Sequence, residues 1–524
     1  MDDVILSIDC GTQSLRSLLY TVTGDLLDSA RVEYEPHFRD KPGWAEQDPN
    51  LFWRSLCETC QTLKARNAKV FERIVGVGVT TQRDSMANVD KHGNPLRPVI
   101  TWLDQRKAKP VYEPWPPMRM AYRAVGMYEA VSKLQADGKS NWIRQNQPEI
   151  WAKTHKYLQV SGFLNFKLTG EFKDSVASQI GHIPFNYRKF RWASKYGLGS
   201  KLFPIERSKL PELVRPADRI GEISRDAARE TGIREGTPVI ACGSDKGCET
   251  IGMGVVNEMT ASLSFGTTAT VQTTSKRYFE ALRFMPPYPA VIPGHYNPEV
   301  EIFRGYWMIT WFKNEFAHKE VLQAQEHGVP TEQVLDDLLR EVPAGSMGLL
   351  VQPYWGPGLK HSEAKGAMIG FGDVHRKPHM YRAVIEGLAY ALLDGLQSME
   401  RAGKFLAERV AVSGGASRSN EICAITADIM DRPLVRGMTS ETSGLGAAIV
   451  TSVGLGIHPS FEAAIQEMVK YERTFEPNPQ NAAIYRQLHR RVYKRMYTAL
   501  QPLYEEIRDI TGYPEKIAEG KREV

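Results

Sequence analysis

The sequence has few cysteines and no long apolar run. Six of its 524 residues are cysteine, which is typical of a protein from a reducing compartment rather than of a secreted disulfide scaffold. No window has the roughly eighteen consecutive apolar residues that a membrane span needs. The opening segment, MDDVILSIDCG, is acidic and then strand-like, unlike a signal peptide. We therefore expect a cytoplasmic protein that has no membrane partner.

A strong charge of one sign is also lacking. The formal net charge is +5, and the Lys and Arg residues are scattered rather than clustered, so nucleic acid is not expected as a partner. The content of 42% hydrophobic and 24% charged residues is ordinary for a globular protein. Because 524 residues exceed what one hydrophobic core supports, two or more domains are expected.

Several common nucleotide-binding and metal-binding motifs are incomplete. The GKS sequence at residues 138–140 resembles the end of a Walker A loop, but Lys133 occupies the position of its first glycine. The GVG sequence at residues 76–78 lacks the third glycine of a dinucleotide fingerprint. Cys57 and Cys60 have no second pair at metal-ligand spacing and are interpreted as core or surface thiols. P-loop, Rossmann and structural-zinc classes are therefore disfavoured.

The order of the predicted elements repeats once along the chain. The apolar run Val4–Asp9 and the run Ser17–Thr23 flank a polar turn and predict a β-hairpin. The β-type run Thr237–Cys242 precedes a Gly-flanked turn with Asp245, and a second hairpin spans Ala261–Val271. Each hairpin has a Gly-Thr turn at its bend. We predict an α/β protein with two domains, residues 1–238 and residues 239–524.

The first turn has the composition of a phosphate-binding site. In the segment IDCGTQSLR, Asp9 ends a strand and is followed by a glycine, by the hydroxyls of Thr12 and Ser14, and by Arg16. Glycine permits close approach of a phosphate to the backbone, and the hydroxyls add hydrogen-bond donors. Asp9 could hold a hydrated Mg²⁺. A plain hairpin is the alternative interpretation of this segment.

Three further segments place polar residues where an apolar strand ends. An acid such as Asp245 close to a phosphate turn suits deprotonation of a hydroxyl. The segment SGGASRSN, residues 413–420, joins a strand to a helix N-terminus, which favours anions. The segment QRD, residues 82–84, follows another strand, a usual place for substrate residues in α/β folds. A tight link and a solvated loop are the respective alternatives for the last two.

In this order, the segments resemble the FGGY family of carbohydrate kinases, which includes glycerol, xylulose and ribulose kinases. The resemblance extends from about Val4 to about Glu476 and is carried by IDCGTQSLR, TTQRDS, GSDKGCETIG, SFGTTA and VSGGASRSN. It implies two actin-like (ribonuclease H-like) ATPase domains with an interdomain cleft, which closes on ATP and a small-molecule sugar or polyol.

The resemblance implies an ATP-dependent kinase that uses Mg²⁺ and phosphorylates a ketose or polyol. A xylulose-like acceptor is the best guess, and glycerol or another short polyol is the alternative. An actin-like ATPase or chaperone without a sugar substrate is a third hypothesis. A homodimer is left open.

The resemblance also implies a role for each site residue. Asp245 is the expected catalytic base, and Asp9 is expected near Mg²⁺. The ATP contacts are expected from Thr12, Ser14, Arg16, Gly266, Thr267, Thr310, Gly414, Gly415, Ser419 and Asn420. The acceptor contacts are expected from Arg83, Asp84, Trp102, Tyr128, Asp245 and Lys246.

The chain departs from the family pattern on the acceptor side. Lys246 follows the expected base at a position where a neutral amide is common, and it could lower the pKa of Asp245 or bind a substrate oxygen. Residues 107–141 match no subfamily well. Helices are predicted over Tyr128–Ala136 and Asn141–Thr169. The Arg83-Asp84 pair resembles the Arg-Glu of glycerol kinases more than the Met-His of xylulose kinases.

Overall fold

The structure is a computed structural model that describes residues 3–35, 38, 41, 43–302, 304–329, 331–355 and 364–513. The chain forms two compact units, and each is assembled from separate stretches of sequence. Unit 1 comprises Met1–Asn257, Thr274–Pro298 and Glu441–Lys470. Unit 2 comprises Glu258–Thr273, Glu299–Ser440 and Tyr471–Val524. The division of the chain at residue 238 stays a prediction.

Unit 1 is organised around a mixed sheet of six described strands. In order across the sheet, these are Arg219–Glu222, Pro238–Ile240, Ile74–Thr81, Val4–Cys10, Ser14–Thr21 and Leu26–Glu33. The strand Val4–Cys10 pairs antiparallel with Ser14–Thr21 and parallel with Ile74–Thr81. A near-continuous apolar run suits this central position, because both faces of the strand are covered.

Alternate residues of the central strand belong to different hydrophobic clusters. Val4 and Leu6 lie in a cluster with Phe52 of the helix Pro49–Arg66. Ile5 lies in a cluster with residues of the helix Thr442–Gly454. This division follows from the period of two along a β-strand, which points successive side chains to opposite faces of the sheet.

The other elements of unit 1 include a small sheet and many helices. The small sheet contains Glu46–Gln47, Val99–Ile100, Met86–Val89 and Lys156–Gln159. Shorter strand pairs are Lys173–Ser175 with Glu212–Val214, Phe185–Asn186 with Arg191–Trp192, and Tyr288–Pro289 with Tyr296–Asn297. The helices are Pro49–Arg66, Ala68–Phe71, Pro116–Ala124, Met127–Asp137, Lys139–Asn146, Pro148–Lys153, Val160–Thr169, Leu198–Leu202, Arg225–Thr231, Asp245–Gly252, Thr442–Gly454 and Phe461–Met468.

Unit 2 contains a second sheet of six described strands with the same topology. In order, these are Glu299–Ile302, Ala269–Gln272, Thr260–Phe265, Arg409–Ser413, Leu434–Gly437 and Tyr471–Phe475. From the first to the last, neighbours pair antiparallel, antiparallel, parallel, parallel and antiparallel. Read from Leu26–Glu33 to Arg219–Glu222, the sheet of unit 1 has the same series of pairings. The repeated plan predicted from the sequence is therefore present in the fold.

Helices and one hairpin complete the described part of unit 2. The helices are Trp307–Phe316, His318–His327, Thr331–Arg340, Lys377–Gly403, Asn420–Met430, Pro479–Leu488 and Lys494–Thr511, with a π-helical turn at His489–Tyr493. The hairpin pairs Leu350–Gln352 with Ala367–Ile369. Among the described residues of both units, no helix has the length and apolarity needed to cross a membrane.

The predicted helix Asn141–Thr169 is wrong as a single element. The structure has helices Lys139–Asn146 and Pro148–Lys153, the strand Lys156–Gln159, and the helix Val160–Thr169. Pro148 disfavours helical geometry at the residue before it, and Gln147 has φ −139° and ψ 55°. The strand forms because it pairs with Met86–Val89, a distant contact that overrides the local helical pattern.

Candidate active site

Asp245 is the first residue of the helix Asp245–Gly252. The prediction that it lies on a turn is therefore wrong. Ser244 caps this helix, because its hydroxyl accepts a hydrogen bond from the backbone N–H of Gly247 at 3.2 Å. The Oδ1 atom of Asp245 accepts from the backbone N–H of Lys246 at 2.8 Å. A helix N-terminus carries partial positive charge and stabilises a carboxylate there. Ser244 is the N-cap signal by which the sequence could have predicted this helix start.

Two glycines permit close packing of the Asp245 helix. A Cβ atom on Gly252 would lie 1.9 Å from the carbonyl oxygen of Thr442. A Cβ atom on Gly446 would lie 1.9 Å from the carbonyl oxygen of Cys248. The helices Asp245–Gly252 and Thr442–Gly454 therefore touch backbone to backbone, which fixes the position of the acid.

The charges around Asp245 have opposing effects on its pKa. Burial raises the pKa of Asp245, while the positive charges of Arg83 and Lys246 act to lower it. The Lys246 ammonium lies 2.6 Å from Oε2 of Glu249. The Arg83 guanidinium lies over the ring of Tyr288, 5.1 Å from its centroid. A half-buried carboxylate with a raised pKa and a nearby guanidinium is suited to accept a proton from a hydroxyl.

Asp9 and Arg16 lie directly opposite each other on paired strands. The Arg16 Nη1 atom is 3.8 Å from Oδ2 of Asp9 and 2.8 Å from Oε2 of Glu441. Burial raises the pKa of Asp9 to about 7; Arg16 opposes this rise, and the negative charges of Asp245, Glu441 and Glu249 add to it. Glu441 is a site residue that the sequence analysis missed, because 425 positions separate it from its partner Arg16.

The carboxylates close to Asp9 suit a divalent cation. Their mutual repulsion raises the pKa of Asp9, and a bound cation would relieve it. In the described part of the chain, no group of three or more potential metal-ligating side chains converges on one point. Mg²⁺ is commonly held by one or two carboxylates together with substrate phosphates and water, so the donor set fits this ion. Asp9 is the residue that would hold it.

The first Gly-Thr turn lies beside a residue predicted to contact the acceptor. The Thr12 hydroxyl donates to Oε1 of Gln82 at 3.1 Å and accepts from the indole N–H of Trp102 at 2.9 Å. The hairpin is closed by a hydrogen bond from the N–H of Gly11 to the carbonyl of Ser14, at 2.9 Å. Trp102 is 41% exposed beside the turn.

Asp84 is clamped by two basic side chains and has a left-handed backbone conformation, with φ 52°. Its Oδ2 atom lies 2.5 Å from Nζ of Lys139 and 2.8 Å from Nδ1 of His182. Burial acts to raise the pKa of Asp84, but Lys139 and His182 outweigh it and hold the pKa well below its usual range. The sequence analysis identified neither basic partner.

Tyr128 occupies the helix Met127–Asp137 and is half-buried. The ring contact that the structure gives it is with the guanidinium of Arg123, 4.9 Å from the ring centroid. Its expected contact with the acceptor stays a prediction.

Unit 2 carries the second Gly-Thr turn at the bend of its first hairpin. The carbonyls of Gly266 and Thr267 accept from the backbone N–H groups of Tyr306 and Trp307 at 3.1 and 3.4 Å. Trp307 begins a helix on which Thr310 is exposed. Backbone hydrogen bonds therefore join the turn to the start of the helix that carries Thr310.

The two glycines after the strand Arg409–Ser413 have different environments. Gly414 has φ 91° and ψ 167°, and a Cβ atom there would lie 2.7 Å from the carbonyl carbon of Phe265. Gly415 is exposed, and a Cβ atom there would meet no protein atom within 4 Å. The fold itself requires glycine at position 414, whereas Gly415 leaves open space beside the strand end.

Ser419 and Asn420 begin the helix that follows. The Ser419 hydroxyl accepts from the N–H of Ile422 at 3.0 Å and donates to Oδ1 of Asp336 at 2.5 Å. Burial raises the pKa of Asp336 to about 6. The Oδ1 atom of Asn420 is buried and has no hydrogen-bond partner within the described residues. Such an unsatisfied acceptor suits a ligand that brings a donor, such as a nucleoside hydroxyl or amino group.

Two sheets of one topology, each with a Gly-Thr turn after its first strand, are the architecture of actin-like (ribonuclease H-like) ATPases. Residues 4–252 match the N-terminal domain of the FGGY family of carbohydrate kinases, and residues 261–455 match its C-terminal domain. The chain belongs to this family. It is an ATP-dependent carbohydrate kinase, a phosphotransferase with an alcohol group as acceptor, as the sequence predicted.

Individual relatives are similar over nearly the whole chain. A xylulose kinase from Lactococcus lactis subsp. lactis (strain IL1403) is 28% identical over 502 residues, covering 94% of this chain and 96% of the relative. Two solved structures, a gluconate kinase and a xylulose kinase from Lactobacillus acidophilus, have TM-scores of 0.79 and 0.78 at 21% and 22% identity. Each covers 98% of this chain and 99% of its own. The predicted fold class is confirmed.

Proposed function

We propose that this kinase transfers the γ-phosphoryl group of ATP to a hydroxyl of a ketose, with a xylulose-like sugar as the preferred acceptor. The observation that carries the proposal is Asp245, which lies at a helix N-terminus with a raised pKa and with Arg83 close by. The xylulose kinases among the similar proteins support this acceptor class.

In the proposed reaction, Asp245 accepts the proton of the attacking hydroxyl. Its raised pKa brings its basicity closer to neutral pH, where general-base catalysis is most effective. Arg16, held by Asp9 and Glu441, supplies positive charge beside the first Gly-Thr turn. Phosphoryl transfer depends on such positioning and charge neutralisation more than on covalent chemistry. Mg²⁺, when bound near Asp9, would neutralise phosphate charge.

In unit 2, the proposed nucleotide contacts come from backbone and small side chains. The N–H groups and hydroxyls of the turn Gly266–Thr267 would bind phosphate oxygens. Gly415 leaves room for the nucleoside, and the unsatisfied oxygen of Asn420 would accept one of its donors. The other proposed nucleotide contacts in unit 2 are Gly414, Ser419 and Thr310.

Arg83 and Asp84 favour a second candidate acceptor, a short polyol such as glycerol. A guanidinium that donates next to a carboxylate that accepts can bind two neighbouring hydroxyls. Such a pair suits an acceptor whose recognition depends on two hydroxyls alone. Trp102, Tyr128 and Lys246 are proposed as further acceptor contacts, and they would favour a longer sugar.

Cytoplasmic localisation and a homodimer are also proposed. All six cysteines are free thiols, which is consistent with a reducing compartment. Light scattering of the purified protein would measure its mass; a mass near 59.0 kDa would contradict the homodimer.

An acceptor screen tests the proposed function. ADP release from Mg-ATP is measured with xylulose, ribulose, glycerol, erythritol and gluconate, for the wild type and for Asp245→Asn. We expect the highest kcat/KM with xylulose and a value about 10³-fold lower for the variant. Removal of Mg²⁺ with EDTA should abolish turnover. ADP release that does not depend on any acceptor would instead support an actin-like ATPase, and preference for glycerol would select the short polyol.

A further inference from the structure

The basic partner of Asp84 comes from the stretch of chain that matches no subfamily of the kinases. Lys139 is the first residue of the helix Lys139–Asn146. Its side chain is 7% exposed, and its ammonium lies 2.5 Å from Oδ2 of Asp84, 55 positions earlier in the chain. Burying a lysine costs free energy unless a counter-charge is present, so Lys139 depends on its contact with Asp84.

The backbone around Lys139 is fixed by contacts of its own helix. The Asn141 side chain donates to the carbonyl of Leu202 at 2.8 Å. The ring of Trp142 lies against the guanidinium of Arg106, 4.6 Å from the ring centroid. Arg106 is in turn held by Asp104 at 2.7 Å. These contacts fix the helix that carries Lys139, and so they fix the position of its ammonium next to Asp84.

The segment on the other side of Asp84 is equally constrained. The Oδ1 atom of Asp84 accepts from the backbone N–H of His182 at 3.0 Å, and Oδ2 lies 2.8 Å from Nδ1 of the same residue. Gly181 has φ 129°, and a Cβ atom there would lie 2.3 Å from Oδ1 of Asp84. Only glycine permits this approach. A left-handed backbone at a non-glycine residue such as Asp84 is uncommon and is typical of a functional site.

We infer that Lys139 is a positioning residue for the acceptor pocket, which together with His182 holds the Asp84 carboxylate ionised and oriented to accept a hydrogen bond from an acceptor hydroxyl. The inference rests on the proposed function, in which Arg83 and Asp84 bind the acceptor. It gives residues 107–141, which match no subfamily well, a role on the proposed acceptor side: they supply the cation that fixes a carboxylate.

The other charged and titratable groups near Asp84 do not replace Lys139. Arg83 precedes Asp84 in the chain but lies over Tyr288. Tyr157 is buried and Tyr187 is half-buried, and desolvation raises the pKa of each well above its usual range, so both stay neutral. His182 shares Oδ2 with Lys139. Without Lys139, the largest charge that opposes burial would be lost, and the pKa of Asp84 would rise.

Steady-state kinetics over pH 5–9 with the best acceptor test the inference. The variants are Lys139→Met, Asp84→Asn and the double variant, with sugar KM, ATP KM and kcat measured for each. We expect Lys139→Met to raise the sugar KM at least tenfold at pH 7 and to leave the ATP KM within twofold. We also expect its kcat/KM for the sugar to fall at acidic pH along an additional limb, beyond the one set by Asp245, and Asp84→Asn should lack this additional limb.

The double variant decides whether Lys139 acts through Asp84. The double variant leaves no carboxylate without its cation, so it should fold even if Lys139→Met alone does not. The inference can then still be tested. We expect the sugar KM of the double variant to equal that of Asp84→Asn. His182→Gln, which removes the second basic partner, should raise the sugar KM less than Lys139→Met does.

Three results would overturn the inference. These are an unchanged sugar KM without an additional acidic limb in Lys139→Met, a double variant whose defect is the product of the single defects, and a double variant with wild-type sugar KM although Asp84→Asn alone raises it. A failure of the proposed function looks different: Asp84→Asn would then keep the wild-type sugar KM, whatever Lys139→Met does.

Discussion

The two units share a sheet topology, but their candidate site residues are of different types. In unit 1 several of the candidate site residues are charged and form ion pairs, as Arg16 does with Glu441 and Asp84 with Lys139. In unit 2 they are glycines, hydroxyls and an amide, placed by backbone hydrogen bonds and by close backbone approach. The same sheet topology thus carries mainly charged candidate residues in unit 1 and candidate residues placed by shape in unit 2.

The largest expected effect comes from removing the negative charge of Asp245 in unit 1. Asp245→Asn keeps the size of the side chain but cannot accept a proton. We expect kcat for the acceptor to fall about 10³-fold, the range in which general-base catalysis contributes. The Kd for ATP, measured by titration calorimetry, should change less than twofold. A variant with more than a tenth of wild-type turnover would contradict the assignment of the base.

A matched pair of glycines tests whether unit 2 works through shape. Gly414→Ala should destabilise the protein by roughly 1–3 kcal/mol from backbone strain alone, because φ 91° with ψ 167° is accessible essentially to glycine only. Gly415→Ala should leave the unfolding temperature unchanged and raise the KM for ATP several-fold, because its methyl group would occupy the open space. Thermal unfolding and ATP kinetics measure both. Equal destabilisation by the two substitutions would contradict the different roles proposed for Gly414 and Gly415.

A substitution at Lys246 tests charge control in unit 1 more finely. The Lys246 charge acts to lower the pKa of Asp245. Lys246→Met should therefore raise that pKa, so the acidic limb of kcat/KM should move to higher pH. Each unit of displacement costs about tenfold in rate below the limb.

Lys246→Arg is the control, since it keeps the positive charge close to Glu249. Its pH profile should match that of the wild type. A displaced limb in Lys246→Arg as well would show that something other than charge sets the pKa of Asp245.

The smallest expected effect concerns a charge in unit 2. Asp336 has a folded-state pKa of about 6, which is above the value of about 3.9 expected for an unfolded chain. The folded state therefore binds its proton more tightly, and this contribution to stability, complete below pH 4, is lost as the pH rises through 6.

Asp336→Asn should remove this part of the pH dependence. Its Oδ1 atom still accepts from Ser419, but the side chain cannot ionise. Urea unfolding at pH 4.5 and pH 8 should show the variant gaining stability relative to the wild type at the higher pH. A wild type and a variant with parallel pH dependence would contradict the burial of this charge.

Local patterns accounted for much of the framework. The hairpin at Val4–Thr21 formed because β-branched runs flank a glycine turn, and Asp48-Pro49 starts a helix through an N-cap and a proline at its first position. The long helix Lys377–Gly403 also matches its sequence pattern. Local patterns misassigned Lys156–Gln159, because a strand that depends on a distant partner has no reliable local signal.

The sequence by itself determined the family, the repeated plan and the types of residue available for phosphate, nucleotide and acceptor, because these depend on short motifs in a fixed order. Only the tertiary structure decided which charges meet. The pairs of Asp84 with Lys139 and of Arg16 with Glu441 join residues 55 and 425 positions apart. No spacing encodes such contacts. They arise because folding brings charges that are partly withdrawn from water together, where a partner of opposite sign offsets the cost.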